Sequence, residues 1–326
     1  GRGPAPPIMG LFGFGSNPAA IAPNAGAVAR GLMREDLFTV VHELFPTDTA
    51  AYADIVLPAT SNLEQADLHK AYGHTLLRYN HPAIPPLGES KSNWDVMRLL
   101  AAEMGFDEPW LRQDVDEVIA EVLRATAARN PFLEGVTLSR LKAEGQVPLA
   151  VGPDAPFADG RFPTPSGKVE LYSARLAAEG QDPLPGYSGV WDDGGADESD
   201  KSSQQSWPES EALDLISPAA HHFTSSSFGN GRSQLRAEGA PTIEIHPDDA
   251  AARGIGHGEL VVVENGRGCV TLRANVTDNV RPGVVASAKG RWANRGDGRG
   301  ERRNVNWTTS DALGDFAGQS TFHSTL

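Results

Sequence analysis

The chain has 326 residues, 40% of them hydrophobic, which is enough for ordinary globular cores and too long for one average domain. A formal net charge of −14 argues against nucleic acid or an anionic membrane as a main partner, because both need a basic footprint. A single cysteine, Cys269, rules out an intrachain disulfide and any cysteine-built iron–sulfur or zinc site in these residues.

No apolar run approaches the ~18–20 residues of a membrane span, so direct membrane insertion is not expected. The chain begins at Gly1, which leaves export unread and the compartment open, with the cytoplasm favoured over the periplasm.

Three zones separate by pattern. In the first, 1–106, Ile8–Phe14 reads as a short apolar strand running into Gly15-Ser16-Asn17-Pro18. A helix follows around Ala25–Met33, then a buried strand Leu37–Val41, a helical turn Thr47–Tyr52, a strand Ala53–Leu57 stopped by Pro58, and an amphipathic helix Trp94–Met104. Strand, helix, strand, turn and strand in that order predict a parallel α/β sheet.

The second zone, 107–212, holds a helix over Val115–Ala128 and Pro/Gly-rich segments. It ends in the acidic, Ser/Gln-rich tract Asp192–Glu211, whose composition predicts a disordered insert. The third zone, 213–326, is rich in short strands: Leu213–Ile216, Thr242–Ile245, Glu259–Val263, Cys269–Val276 and Gly283–Ala286. Asn265-Gly266 marks a hairpin, and Pro247–Arg253 a short helix. Closely spaced strands with turn residues between them predict a closed β-barrel. Cys269 opens an alternating run and reads as a packed thiol.

Several residues could carry chemistry. Asn17 ends a strand in a tight turn, and its amide both donates and accepts. The incomplete Gly13-x-Gly15 pattern is no dinucleotide fingerprint, because position 18 is proline. His42 and Glu43 close the second strand. The carboxyl end of a parallel strand is where open α/β sheets take ligands, although a solvated loop glutamate is the plainer reading. Thr47 and Asp48 have the character of helix-capping residues, and Ser92-Asn93 of an N-cap. Ile216–Phe228 interleaves small residues with Ser217, Ala219, His221, His222 and Ser225, a composition that suits binding of diphosphate or a heterocycle edge and equally a plain Ser-rich loop. His69, His74 and His81 fit no compact metal-ligand spacing. No nucleophile elbow, P-loop or metalloprotease signature is present.

The stretch Glu43–Pro58, the run from Gly73 to Phe106, the loop at 216–228 and the segment Arg303–Asp311 together resemble the molybdopterin oxidoreductases of the dimethyl sulfoxide reductase family. The resemblance implies a C-terminal portion of such an enzyme: part of an α/β domain followed by a double-psi-type β-barrel that binds the molybdopterin dinucleotide. It implies a molybdenum or tungsten bis(molybdopterin guanine dinucleotide) cofactor and two-electron chemistry of the formate dehydrogenase, nitrate reductase or thiosulfate/polysulfide reductase kind.

Residue by residue, the match makes Asn17, His42, Glu43, Thr47, Asp48, Asn93, Ser217, Ala219, His221, His222, Ser225, Asn306 and His323 cofactor contacts. Asn93 stands where the family usually has Asp, and Ser217-Pro218-Ala219 where it commonly has Thr-Gly-Arg, so an arginine–phosphate contact is missing. The metal ligand and a 4Fe–4S cluster would belong to residues outside this sequence, which leaves no catalytic residue to name here. The implied partners are the rest of the same catalytic subunit and an iron–sulfur electron-transfer subunit. The alternative is a non-catalytic molybdopterin-fold subunit of a respiratory complex.

Overall fold

The computed structural model describes residues 6–152, 156–184, 212–292, 304–313 and the backbone of 324–325. The acidic tract Asp192–Glu211 and His323 lie outside the described residues. The chain divides into two compact units, one of Gly1–Val41, Pro46–Val56 and Ala174–Leu326, the other of His42–Phe45 and Leu57–Ser173.

Strand β1 (Gly10–Phe14) leads through helix α1 (Pro18–Ile21) to α2 (Ala25–Leu32), then to β2 (Phe38–Glu43) and β3 (Ile55–Pro58). These strands form a three-stranded sheet in the order β1-β2-β3. Asp54 N donates to Thr39 O and Ala59 N to Glu43 O, an advance in the same sense along both chains that marks β2 and β3 as parallel. Asn24 caps α2 in the left-handed conformation (φ 46°), its side chain accepting from Ala27 N.

The second unit carries β4 (Asp67–Lys70), β5 (Leu76–Asn80), α3 (Asn93–Glu103), α4 (Val115–Ala127), α5 (Leu138–Glu144) and β6 (Gln146–Pro148). Here β4, β5 and β6 pair antiparallel in that order. Leu77, Tyr79, Ile119, Leu123, Val136, Leu141 and Val147 make its core. Helix α4 starts in a full capping box between Asp114 and Glu117, as its amphipathic pattern anticipates. The antiparallel sheet is absent from the sequence reading for a physical reason: β4 offers only Leu68 as an apolar residue and β6 is three residues long, so neither shows a period.

After α6 (Ala174–Ala178) come β7 (Asp214–Ile216), α7 (Arg232–Glu238), β8 (Thr242–Ile245), α8 (Pro247–Ala252), β9 (Leu260–Asn265), β10 (Gly268–Val276), β11 (Val284–Ala286) and β12 (Ser324–Thr325). They form a six-stranded mixed sheet in the order β12-β7-β11-β8-β10-β9. β8 and β10 run parallel, as do β7 and β11, whereas β9–β10, β8–β11 and β7–β12 are antiparallel. One face buries Leu215, Ile243, Ile245, Val270, Leu272, Ala274, Val285 and Val305. The sequence predicts a closed barrel; among the described residues the sheet ends at β9 and β12, and these two edge strands do not pair with each other. Cys269, the second residue of β10, is half-buried.

Candidate functional site

In the first unit the turn after β1 is built around Asn17. Its side chain is buried at 3% exposure, and Oδ1 accepts from Thr49 N (3.1 Å) and Thr49 Oγ1 (2.8 Å). Thr49 Oγ1 in turn accepts from Ala19 N at 3.1 Å. Thr47 Oγ1 accepts from Ala50 N at 3.2 Å, so it starts the helical turn at 50–52 as the sequence suggests. Thr47, Asp48 and Thr49 are all buried. Three consecutive buried polar residues are rare outside a site or a hydrogen-bond network.

The same turn is tied to residues far along the chain. Asn304 Nδ2 donates to Ala20 O at 2.6 Å, and Asn306 Nδ2 to the same oxygen at 3.2 Å. Asn304 Oδ1 accepts from Asn306 N, and Asn24 N donates to Thr309 O. Packing reinforces the bonds. A side chain on Gly26 would meet the Trp307 ring at 3.3 Å, and a Cβ on Gly268 would lie 2.8 Å from Trp307 O, so glycine is required where β10 starts. Asn304 was not among the expected site residues; its amide and that of Asn306 are both fully buried, on either side of the core residue Val305.

Loop 217–228 leaves the carboxyl end of β7. Ser217 is buried, whereas Ala219, His221, His222 and Ser225 are exposed. Thr224 and Ser227 close a tight turn by exchanging backbone hydrogen bonds, and Ser225 (φ 49°) and Phe228 (φ 65°) take left-handed conformations that side chains disfavour. The Trp292 indole donates to Ser226 O at 3.0 Å, and Gly290 presses so closely on Ser225 O that no Cβ would fit. Glu238, at the end of α7, accepts from the His222 amide (2.9 Å) and from its ring Nδ1 (3.0 Å). Burial pushes the Glu238 carboxyl up, but the His222 amide and ring and the His221 amide outweigh it, and the group lies below the ordinary carboxylate range. Lys289, whose amide donates to Pro218 O, is half-buried, and burial pushes its ammonium below the usual lysine range.

In the second unit His42 is fully buried, and its Nε2 lies 3.2 Å from Pro58 O and 3.1 Å from Lys91 O. Both neighbours are carbonyl acceptors, so Nε2 carries the hydrogen. Glu43 folds its carboxylate onto Leu44 N at 2.8 Å. Asn93 is exposed at the start of α3, which Ser92 caps. Ser92 is thus the N-cap and Asn93 the first helical residue.

The donors and acceptors suit the organic part of a dinucleotide cofactor. Among the described residues Asn17 Nδ2 and Asn306 Oδ1 are buried without a hydrogen-bond partner, one a donor and one an acceptor. Buried polar atoms in that condition call for a partner. The exposed imidazoles and hydroxyls of loop 217–228 can reach phosphate, ribose or heterocycle edges. Among the described residues no three His, Cys, Asp or Glu side chains could hold a metal ion.

Comparison with known proteins agrees with this chemistry. Residues 5–103 match the family described as molybdopterin oxidoreductase, and residues 213–326 the molydopterin dinucleotide binding domain. The probable oxidoreductase YoaE of Bacillus subtilis is 40% identical over 98% of this chain and 44% of its own length. The dimethyl sulfoxide/trimethylamine N-oxide reductase of Rhodobacter capsulatus is 27% identical over 91% of this chain and 37% of its own length. The chain thus spans less than half the length of these relatives. Among solved structures, acetylene hydratase from Pelobacter acetylenicus shares the fold, with a TM-score of 0.75 and 24% identity over 98% of this chain and 43% of that one. With one family match on the Asn17 segment and another on the segment carrying loop 217–228 and Asn306, the chain belongs to the molybdopterin oxidoreductases of the dimethyl sulfoxide reductase family.

Proposed function

We propose that this chain forms part of the cofactor-binding half of a larger oxidoreductase subunit, and that it holds a molybdenum or tungsten bis(molybdopterin guanine dinucleotide). The observation that carries the reading is the buried polar clasp of Asn17, Thr49, Ala20, Asn304 and Asn306, with unpartnered amide atoms on Asn17 and Asn306. When bound, the cofactor supplies two-electron redox chemistry, and the protein supplies orientation and electrostatics.

The residues divide into two roles. Asn17, His42, Thr47, Asp48, Ser217 and Asn306 are buried and set the frame, while Glu43, Asn93, His221, His222 and Ser225 are accessible and offer polar side-chain contacts to nucleotide and pterin, and Ala219 offers its backbone. His323 completes the list by resemblance alone. Residues 213–326 close as a double-psi-type barrel in the assembled subunit. The metal ligand, a 4Fe–4S cluster, the substrate-selecting residues and the iron–sulfur partner subunit belong to the remainder of the assembly. The relatives named as dimethyl sulfoxide, trimethylamine N-oxide, biotin sulfoxide and nitrate reductases and as a formate dehydrogenase favour oxygen-atom transfer or formate-type oxidation as the reaction class.

A non-catalytic role has one point in its favour, Ala219 where the family commonly carries arginine. The two readings separate on cofactor content. Metal analysis of the intact protein, with guanine nucleotide released by acid hydrolysis, gives both components together for the enzyme and neither for the non-catalytic subunit.

A further inference from the structure

We propose that Glu238 is a positioning residue, one that locks loop 217–228 in its strained form and fixes the His222 ring so that Nε2 is its single remaining contact to a ligand. The proposal rests on the reading that this loop meets the cofactor. Three donors converge on one carboxylate: His221 N at 3.4 Å, His222 N at 2.9 Å and His222 Nδ1 at 3.0 Å. An ionised carboxylate only accepts, so the ring nitrogen facing it carries the hydrogen, and the tautomer is set by that bond. The Glu238 side chain is 10% exposed and that of His222 40%. With Nδ1 engaged by Glu238, Nε2 is the ring nitrogen left to meet a phosphate oxygen or a pterin edge.

The loop needs such a lock. It carries two non-glycine residues at positive φ, Ser225 and Phe228, conformations that persist only when the surroundings over-determine them. Trp292 and Gly290 hold its far side at Ser226 and Ser225, and Glu238 holds its near side at His221 and His222. Among the described residues the charged and titratable groups around the carboxylate are His221, His222 and Arg291, whose guanidinium also donates to Gly239 O at 2.9 Å and favours the ionised form. The Thr-Gly-Arg element of the family is replaced here by Ser217-Pro218-Ala219, and a preset imidazole gives the loop a polar contact of a different kind.

The test compares wild type, Glu238→Ala and Glu238→Gln in the intact protein by three readouts: hydrogen exchange across 217–228, the ring ¹⁵N spectrum of labelled histidine, and guanine nucleotide per chain. Glu238→Ala is expected to speed loop exchange about tenfold, abolish the Nδ1–H signature of His222 and lower nucleotide content. Glu238→Gln keeps one acceptor oxygen and restores loop protection in part, which separates positioning from misfolding. Wild-type exchange and an unchanged His222 tautomer in Glu238→Ala would overturn the proposal while leaving the cofactor reading intact. A loosened loop with full nucleotide content would overturn it as well. A wild-type protein without guanine nucleotide would overturn the cofactor reading, and the ligand role of His222 with it.

Discussion

Asn304 shows how much one buried amide can carry. Its Nδ2 satisfies Ala20 O, its Oδ1 satisfies Asn306 N, and both partners lie in the protein interior. Asn304→Ala removes two hydrogen bonds and strands a buried amide, which should cost about 2–4 kcal/mol, read from urea unfolding. Loss of less than ~0.5 kcal/mol would mean that water replaces the side chain freely. Asn17 was legible at a strand end, and Asn306, in the turn 305–307, only through the family motif. Asn304 was not, since its partner Ala20 is 284 residues away and offers only a backbone oxygen. Side-chain to backbone contacts of that range leave no trace in local spacing.

At the scale of elements, legibility followed periodicity. β8 and β10 alternate or run apolar over four and nine residues, and both were placed within a residue of their observed bounds. Helix α7 was missed because Arg232–Glu238 has one apolar residue of size, Leu235, and is exposed along most of its length. The loss matters, since α7 presents Glu238. Because the folded Glu238 carboxyl lies below its ordinary 4.5, its bonds to His221 and His222 contribute stability that is fully present above that value and lost as pH falls through the lower, folded value. Exchange across 217–228, corrected for intrinsic chemistry, should therefore accelerate as pH falls below 4.5 and through the lower folded value, and do so less in Glu238→Gln. Packing gives a second check at this scale. Gly268→Ala would place a methyl 2.8 Å from Trp307 O, with backbone on both sides, and is expected to lower stability by roughly 1–3 kcal/mol. No change in the unfolding midpoint would show that β10 and the 305–307 turn can part without cost.

For the whole molecule, two family matches and one polar clasp define the account. The six-stranded sheet, the α1–α2 turn and the segment 304–311 belong to a single compact unit, so residues from both family matches share one folded body. The sheet order could not be read from the sequence: strands of two or three residues such as β12, β7 and β11 carry too few side chains to specify neighbours. The chain covers 44% of the length of its relative YoaE, and on the proposed reading it holds the cofactor poorly alone and shows no oxidoreductase activity without the rest of the subunit. The most direct measurement is the cofactor content of the intact protein, wild type and Glu43→Ala. Wild type is expected to carry molybdenum or tungsten with about two guanine nucleotides per metal, set by the bis-dinucleotide cofactor, and Glu43→Ala to lose metal and nucleotide in parallel. Wild-type protein with neither metal nor guanine nucleotide would contradict the cofactor reading.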